Sequence, residues 1–259
     1  MQEKLLRSAL SELPLSEIHF FDSIDSTNVQ GLRMLKEGAS EYTLLVAETQ
    51  TAGRGRLDRK WITTPGTSLA FSLILHPHRD EIQYLPLFSA LSGLAVYEAV
   101  SECSNARVEI KWPNDILLNG EKTAGILVES AWEGNEIQGL ILGIGVNLFP
   151  NSIPLDNQFI FPATYLQMHC KRKIKAEYFL KSILEHFIQS RPSLNKPEFI
   201  SRYQGHLAYL GELVSLSKPG GLVASGELLG VNPQGALRLR LTNGQIEDFT
   251  AGDLSLRPN

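Results

Sequence analysis

Two consecutive residues, Asn119-Gly120, limit the folds open to this chain more than any other feature. Both residue types tolerate positive φ, and Asn-Gly between apolar runs is the strongest short-range sign of a two-residue hairpin. The run Ile116-Leu-Leu118 precedes it and Lys122 to Ala131 follows, so these segments are expected to pair antiparallel.

The rest of the pattern fills in around that hairpin. Strands are predicted at Ile18 to Phe21, Thr43 to Ala47, Ser68 to Leu75, Val108 to Trp112 and Ile137 to Val146. A short helix fits the first dozen residues, ending before Pro14. Asp25-Ser-Thr-Asn28 suits a helix N-cap, with Val29 to Lys36 as the helix and Gly38 as its stop. Longer helices are predicted over Leu85 to Glu102 and Lys175 to Arg191, with a Pro- and Asn-rich loop from Pro150 to Pro162 between them. Near Gly211 the pattern shifts to short alternating runs split by Pro219-Gly-Gly221, Asn232-Pro-Gln-Gly235 and Asn243-Gly244. This predicts a small β-barrel of roughly 50 residues, too small to rely on its own core and therefore docked on the larger part.

Composition enters where it excludes classes. At 259 residues the chain is long enough for one to two domains, and 24 basic against 28 acidic residues argue against a charge-driven nucleic-acid platform. No apolar run approaches the ~20 residues that span a bilayer, and the first residues do not resemble a secretory leader. Cys103 and Cys170 lie far apart in sequence and read as reduced thiols, so a cytoplasmic location without membrane partners is expected.

Three stretches carry chemistry. Gln50-Thr-Ala-Gly-Arg-Gly-Arg56, continuing to Trp61, alternates glycine with arginine. Such a loop is either a solvated basic turn or an anion site, in which bare backbone and guanidinium groups converge on a carboxylate or phosphate; the density of cations favours the second. It is neither a Walker A loop nor a dinucleotide fingerprint. In Lys111-Trp-Pro-Asn-Asp115, Pro113 places Asn114 and Asp115 at a strand end or bulge, with Lys122 across the hairpin. A surface ion pair or a plain Asx-turn accounts for these residues equally well. The glycines of Gly143-Ile-Gly-Val-Asn147 relieve crowding, and Asn147 either meets a ligand or caps a turn. His76 and His78, without a cysteine or carboxylate at ligand spacing, read as surface residues.

Taken in order, Asp25-Ser-Thr-Asn28, Gln50 to Arg56, Trp61, Lys111 to Asp115, Lys122-Thr-Ala-Gly-Ile-Leu-Val-Glu129 and Gly143 to Asn147 resemble the biotin protein ligases, also called biotin–acetyl-CoA-carboxylase ligases. The resemblance spans roughly residues 17 to 150. It implies an α+β fold, with a mixed, largely antiparallel sheet of class II synthetase type over residues 1–208, and an SH3-like β-barrel over 209–259. It also implies a two-step reaction: biotin and ATP give biotinyl-5′-AMP and pyrophosphate, and a lysine of a biotin carboxyl carrier domain then displaces AMP.

Roles follow by resemblance. Ser26, Thr27, Asn28, Gln50, Gly53, Arg54, Gly55, Arg56, Lys122 and Gly125 would bind biotin. Arg56, Trp61, Asn114, Lys122 and Asn147 would bind the nucleotide, with Trp61 stacking near the adenine. Lys122, Arg56 and Asp115 would be catalytic; Asp115 would hold Mg²⁺, orient Lys122 or help deprotonate the incoming lysine. ATP and Mg²⁺ are thus implied, with a homodimer possible. Leu57-Asp58 departs from the family pattern and puts a negative charge beside the anion site, available to Arg59 or an upstream arginine. The loop is expected to order on ligand binding. Only about two dozen residues precede Asp25, too few for a helix-turn-helix, so the form without a DNA-binding module and without nucleic-acid partners is expected. The rivals are a lipoate ligase or octanoyltransferase on the same fold, and a biotin-binding protein without catalysis.

Overall fold

The computed structural model describes residues 1–153, 161–252 and 254–258. Most of the predicted Pro- and Asn-rich loop, residues 154–160, lies outside the described residues. The Asn119-Gly120 turn forms as its residue types demand, with φ of 49° and 84°. It joins β5 (Asp115–Leu118) to β6 (Glu121–Glu133), and β6 returns antiparallel along β7 (Glu136–Asn147). On the far side of β7 lie β3 (Ser68–Leu75), β2 (Thr43–Ala47) and β1 (Glu17–Phe21), and β4 (Val108–Lys111) closes the other edge. The order is β1-β2-β3-β7-β6-β5-β4, and β1 with β2 is the parallel pair.

The two faces of this sheet have different covers because side chains alternate along each strand. Leu44, Val46, Phe71 and Leu73 join one large apolar cluster with α3 (Leu87–Cys103) and α4 (Ala176–Ser190). Leu45, Ile74 and Ile141 face the other way and meet Leu35 of α2 (Thr27–Lys36). A short α1 (Glu3–Ala9) and α5 (Pro197–Gln204), the latter unforeseen in sequence, complete the helices. Helix α2 begins two residues earlier than predicted. Ser26 is its N-cap but makes no side-chain cap bond, and Thr27 and Asn28 turn inward from the first turn. Gly38 ends the region with φ +87°, as its permissive backbone allows.

The predicted barrel is a correction. Strands β8 (Leu213–Lys218), β9 (Gly221–Val231), β10 (Leu237–Leu241), β11 (Ile246–Phe249) and β12 (Ser255–Pro258) form an open sheet ordered β11-β10-β9-β8-β12. Among the described residues no ladder joins the edges β11 and β12. Two physical reasons stand out. The apolar face of these strands is already covered: Val214, Leu216, Leu228, Leu237, Leu239 and Leu256 belong to the same buried cluster as α3 and the large sheet. Docking therefore does what closure would have done. The carbonyls of Ala251, Gly252 and Leu254, just before β12, are also occupied as acceptors for Arg56 rather than by a neighbouring strand. The remaining edge, β11, is short, mostly exposed and acidic at Glu247 and Asp248, which blunts further pairing.

Candidate active site

A cleft of about 370 Å³ opens beside the first turn of α2, and β12 forms part of its wall. Its floor is made by absent side chains. A Cβ on Gly143 would sit 2.1 Å from Asn28 Oδ1, and one on Gly145 would sit 2.2 Å from the Trp61 ring. The crowding foreseen at Gly143 and Gly145 is thus specific: each glycine makes room for one site side chain.

One end of the cleft is neutral and tightly hydrogen-bonded. Ser26, Thr27 and Asn28 are buried, Gln50 Oε1 accepts from the Thr27 amide at 2.8 Å, and Thr27 Oγ1 lies 3.1 Å from the same oxygen. Ser72 of β3, fully buried, lies 2.7 Å from Thr27 Oγ1 and 2.6 Å from Asn28 Oδ1. Asn28 donates through Nδ2 to Glu129 Oε2 at 2.8 Å and to the Leu127 carbonyl at 3.3 Å. Both ends of the Asn28 amide are therefore committed to the protein.

The other end is cationic. Arg54, Arg56, Arg59, Lys60, Lys111, Lys122 and Arg257 line it, against the single carboxylate of Asp115 among the described lining residues. The loop carrying the arginines is a small hairpin, tied by Gly55 N–H to Arg59 O and Trp61 N–H to Gly53 O, with Leu57 and Asp58 both at positive φ at its tip. Asp58 forms no ion pair among the described residues, so the expected partnership with Arg59 or an upstream arginine is not what the loop uses. Arg54 instead meets Glu129 at 3.0 Å. Arg56 donates to Asn114 Oδ1 as well as to the three carbonyls before β12, and Arg59 reaches Ser255 Oγ at 3.4 Å. Gly53 packs against the Trp61 carbonyl, where a Cβ would come within 2.3 Å.

Pro113 sits in the turn between β4 and β5, which puts Lys111 and Asp115 at facing strand ends. Asp115 Oδ1 is 2.6 Å from Lys122 Nζ, and Oδ2 is 3.7 Å from Lys111 Nζ. Burial alone would raise the Asp115 carboxyl, but Lys122, then Lys111, hold it below the usual carboxylate range. Burial pushes the Lys111 ammonium down to about 8 despite the pull of Asp115, with Arg257, Lys122 and Arg59 acting in the same direction. Trp61 lies across Gly125 and Gly145, with Lys122 Nζ 5.7 Å from its ring centre, and its buried Nε1 has no hydrogen-bond partner among the described residues. Asn114 Nδ2 donates to the Ile126 carbonyl and Asn147 Nδ2 to that of Thr164, so these amides are held by backbone.

Apart from Gly53, every site residue predicted from sequence lines the cleft. Sequence reasoning missed Ser72, Ser152, Phe161 and Arg257. Ser152 is buried with an unpartnered hydroxyl, and the Phe161 ring is faced by Lys111 at 4.9 Å and by Arg257 at 5.3 Å. No sequence signal marks the strand that carries Arg257, and its approach to the cleft depends on docking of the second sheet. No group of three or more histidine, cysteine or acidic side chains among the described residues is placed to hold a metal ion. His76 bonds the Ala39 carbonyl through Nε2. No helix among the described residues is long and apolar enough to cross a membrane.

Comparison with known proteins agrees with this geometry. Residues 20–147 match the biotin/lipoate A/B protein ligase family, and residues 209–257 match the biotin protein ligase C-terminal domain. The bifunctional ligase/repressor BirA of Bacillus subtilis is 31% identical over 99% of this chain and 79% of its own length. A biotin–acetyl-CoA-carboxylase ligase of Paracoccus denitrificans is 34% identical over 83% of this chain and 91% of its own. Among solved structures, a biotin protein ligase from Aquifex aeolicus in complex with biotin and ATP superposes with a TM-score of 0.79 and 29% identity, covering 95% of this chain and all of the other.

Proposed function

The chain belongs to the biotin/lipoate A/B protein ligase family, and on that premise we propose that its cleft joins biotin to ATP and hands the biotinyl group to a carrier lysine. It is an ATP-dependent biotin protein ligase, and the observation that carries the reading is the division of the cleft. A neutral, hydrogen-bonding end suits a ureido ring, which needs both donors and acceptors. A cationic end suits a carboxylate meeting a triphosphate.

The first step brings two anions together. At ~4 Å and an effective dielectric near 20 their repulsion is about 4 kcal/mol per pair of charges. Lys122 lines the cationic end beside Asp115 and Trp61, and its role is to neutralise the biotin carboxylate oxygen and the α-phosphate as that oxygen attacks phosphorus and pyrophosphate leaves. Asp115 orients it: at 2.6 Å the carboxylate fixes Nζ, and a carboxyl held below its usual range is a poor proton acceptor but a strong orienting charge. Arg54 and Arg56 close over the acyl-phosphate, and Ser26, Thr27 and Gln50 hold the ureido ring. Trp61 and Asn147 form the nucleotide side, with the free Trp61 Nε1–H as a donor to it, and Asn114, whose amide is committed to Arg56 and the Ile126 carbonyl, supports that side. Asn28 and Gly53 support the biotin end without touching ligand, because the Asn28 amide is already committed and Gly53 serves Trp61.

Mg²⁺ belongs to the nucleotide substrate on this reading. Among the described lining residues Asp115 is the one carboxylate, and it is engaged by two ammonium groups, so this donor set does not fit a resident metal site. Residues 1–208 are the catalytic domain and 209–259 the C-terminal domain. Its partners are biotin, ATP, a biotin carboxyl carrier domain and, in a homodimer, a second copy of the chain.

The test is mass spectrometry of an apo-carrier domain incubated with the protein, biotin and MgATP. One biotinyl group on one lysine is expected, and none when lipoate replaces biotin. Transfer of lipoate with equal efficiency would favour the lipoate branch. Biotin binding without ATP–pyrophosphate exchange would leave a binding protein.

A further inference from the structure

Resting on the reading that biotin fills this cleft, we propose that Ser72 and Glu129 are positioning residues that set the hydrogen-bond polarity of Thr27, making its hydroxyl an acceptor for a ureido N–H. Neither touches the ligand in this account. Glu129 acts through Asn28 and Ser72, and Ser72 acts on Thr27 directly.

The argument is a count of protons. The Glu129 carboxylate, paired with the Arg54 guanidinium at 3.0 Å, only accepts, and so does the Leu127 carbonyl. Asn28 must therefore turn Nδ2 toward them, at 2.8 and 3.3 Å, which leaves Oδ1 facing Ser72. Asn28 Oδ1 has no hydrogen, so the 2.6 Å contact takes the one proton that Ser72 owns. The 2.7 Å contact between Ser72 Oγ and Thr27 Oγ1 then needs a proton from Thr27. Thr27 has only that one. Its longer 3.1 Å contact with Gln50 Oε1 carries none, and Gln50 Oε1 is satisfied by the Thr27 amide at 2.8 Å. What remains on Thr27 Oγ1 toward the cleft is lone pairs.

The surroundings hold this chain in place. Ser72 pairs with Gly143 across β3 and β7, and the missing side chain at Gly143 is the slot that Asn28 fills. Ser72, Thr27 and Asn28 are all at most 4% exposed, so water does not compete for these protons. An acceptor fixed at this point matches an N–H and gains nothing from a dithiolane or an alkyl chain. The relay thus bears on which acid the enzyme accepts as well as on affinity.

The full-length chain carrying Ser72→Ala is compared with wild type by calorimetric titration of biotin and by biotin-dependent ATP–pyrophosphate exchange. Loss of the relay predicts a biotin Kd and KM raised roughly tenfold, with kcat at saturating biotin within about twofold. In a Thr27→Val background, Ser72→Ala is expected to cost nothing further in biotin affinity, because there is no hydroxyl left to orient. Ser72→Cys keeps the volume with a poor donor and gives the same result if the alanine variant does not fold. A folded Ser72 variant with wild-type biotin affinity overturns the proposal. So does a loss that adds in full to that of Thr27→Val, or a fall in kcat without a change in KM. A wild-type chain that binds no biotin overturns the functional reading instead, and that outcome is visible before any substitution is made.

Discussion

The two ends of the cleft are built on opposite principles. Around Thr27 the protein uses small neutral groups, buried to within a few per cent, each bound to another. Around Lys122 it uses long charged side chains, several of them half exposed, with Asp115 set against Lys122 and Glu129 against Arg54. The neutral end fixes direction: a buried hydroxyl with its proton already placed distinguishes donor from acceptor. The charged end fixes electrostatic potential, which acts on the charge that moves in the reaction. Recognition and chemistry are separable in such a site, and substitutions should sort accordingly.

The largest effect is expected where the charged end is least tolerant. Asp115→Asn leaves Lys111 and Lys122 facing each other without a counter-charge in a buried position, where losing one partner of an ion pair typically costs about 3–5 kcal/mol. A marked drop in the urea midpoint together with lost adenylation is the expected result. Unchanged stability would mean that the carboxylate is not the keystone of that wall.

Arg56→Gly sharpens the division from the other side. Arg56 ties the loop to Asn114 and to the carbonyls before β12, so its loss should loosen the cover over the acyl-phosphate while leaving the neutral end untouched. Biotin affinity within a few-fold of wild type, with reactive adenylate escaping to label lysines of bystander proteins, is expected by mass spectrometry. Labelling confined to the carrier lysine would contradict the loop's role as a cover. The same cover should make the 53–61 loop slower to cleave by protease once biotin and ATP are bound, a smaller effect read by timed digestion.

The smallest effect is a titration. Lys111 releases its proton near pH 8 in the folded chain and near ~10.4 when unfolded, so between those values the unfolded state holds more protons and stability rises with pH. The gain in unfolding free energy from about pH 7.5 to about pH 9.5 should exceed that of Lys111→Met by up to about 2 kcal/mol. Equal gains would place the titrating group elsewhere.

Much of this was legible in the chain because the signals are local. Asn119-Gly120 carries its own turn conformation, and Gly-Arg-Gly-Arg announces backbone access and cations within four residues. Ser72 was hidden because a single hydroxyl in the run Ser68 to Leu75 looks like an ordinary strand position, and its partners lie 44 and 45 positions away. Arg257 and Phe161 reach the cleft only through tertiary docking, which no local pattern reports. The open C-terminal sheet teaches the same lesson. Four of its five strands can be read from alternation, but whether the edges meet depends on what covers the apolar face and on where Arg56 finds its acceptors. Asn28 shows the converse: it lines the cleft, yet with an amide committed to Glu129, Leu127 and Ser72 rather than free for a ligand.

The separation of recognition from chemistry is tested most directly at Lys122, the ammonium group that Asp115 holds at the charged end. Biotin binding by calorimetry and biotin-dependent ATP–pyrophosphate exchange should be measured on the same preparation of Lys122→Ala. The account predicts a biotin Kd within a few-fold of wild type and exchange slowed by roughly 10²–10³, the usual cost of removing one preorganised electrostatic group. Parallel losses in the two measurements, or exchange that survives the substitution, would contradict it.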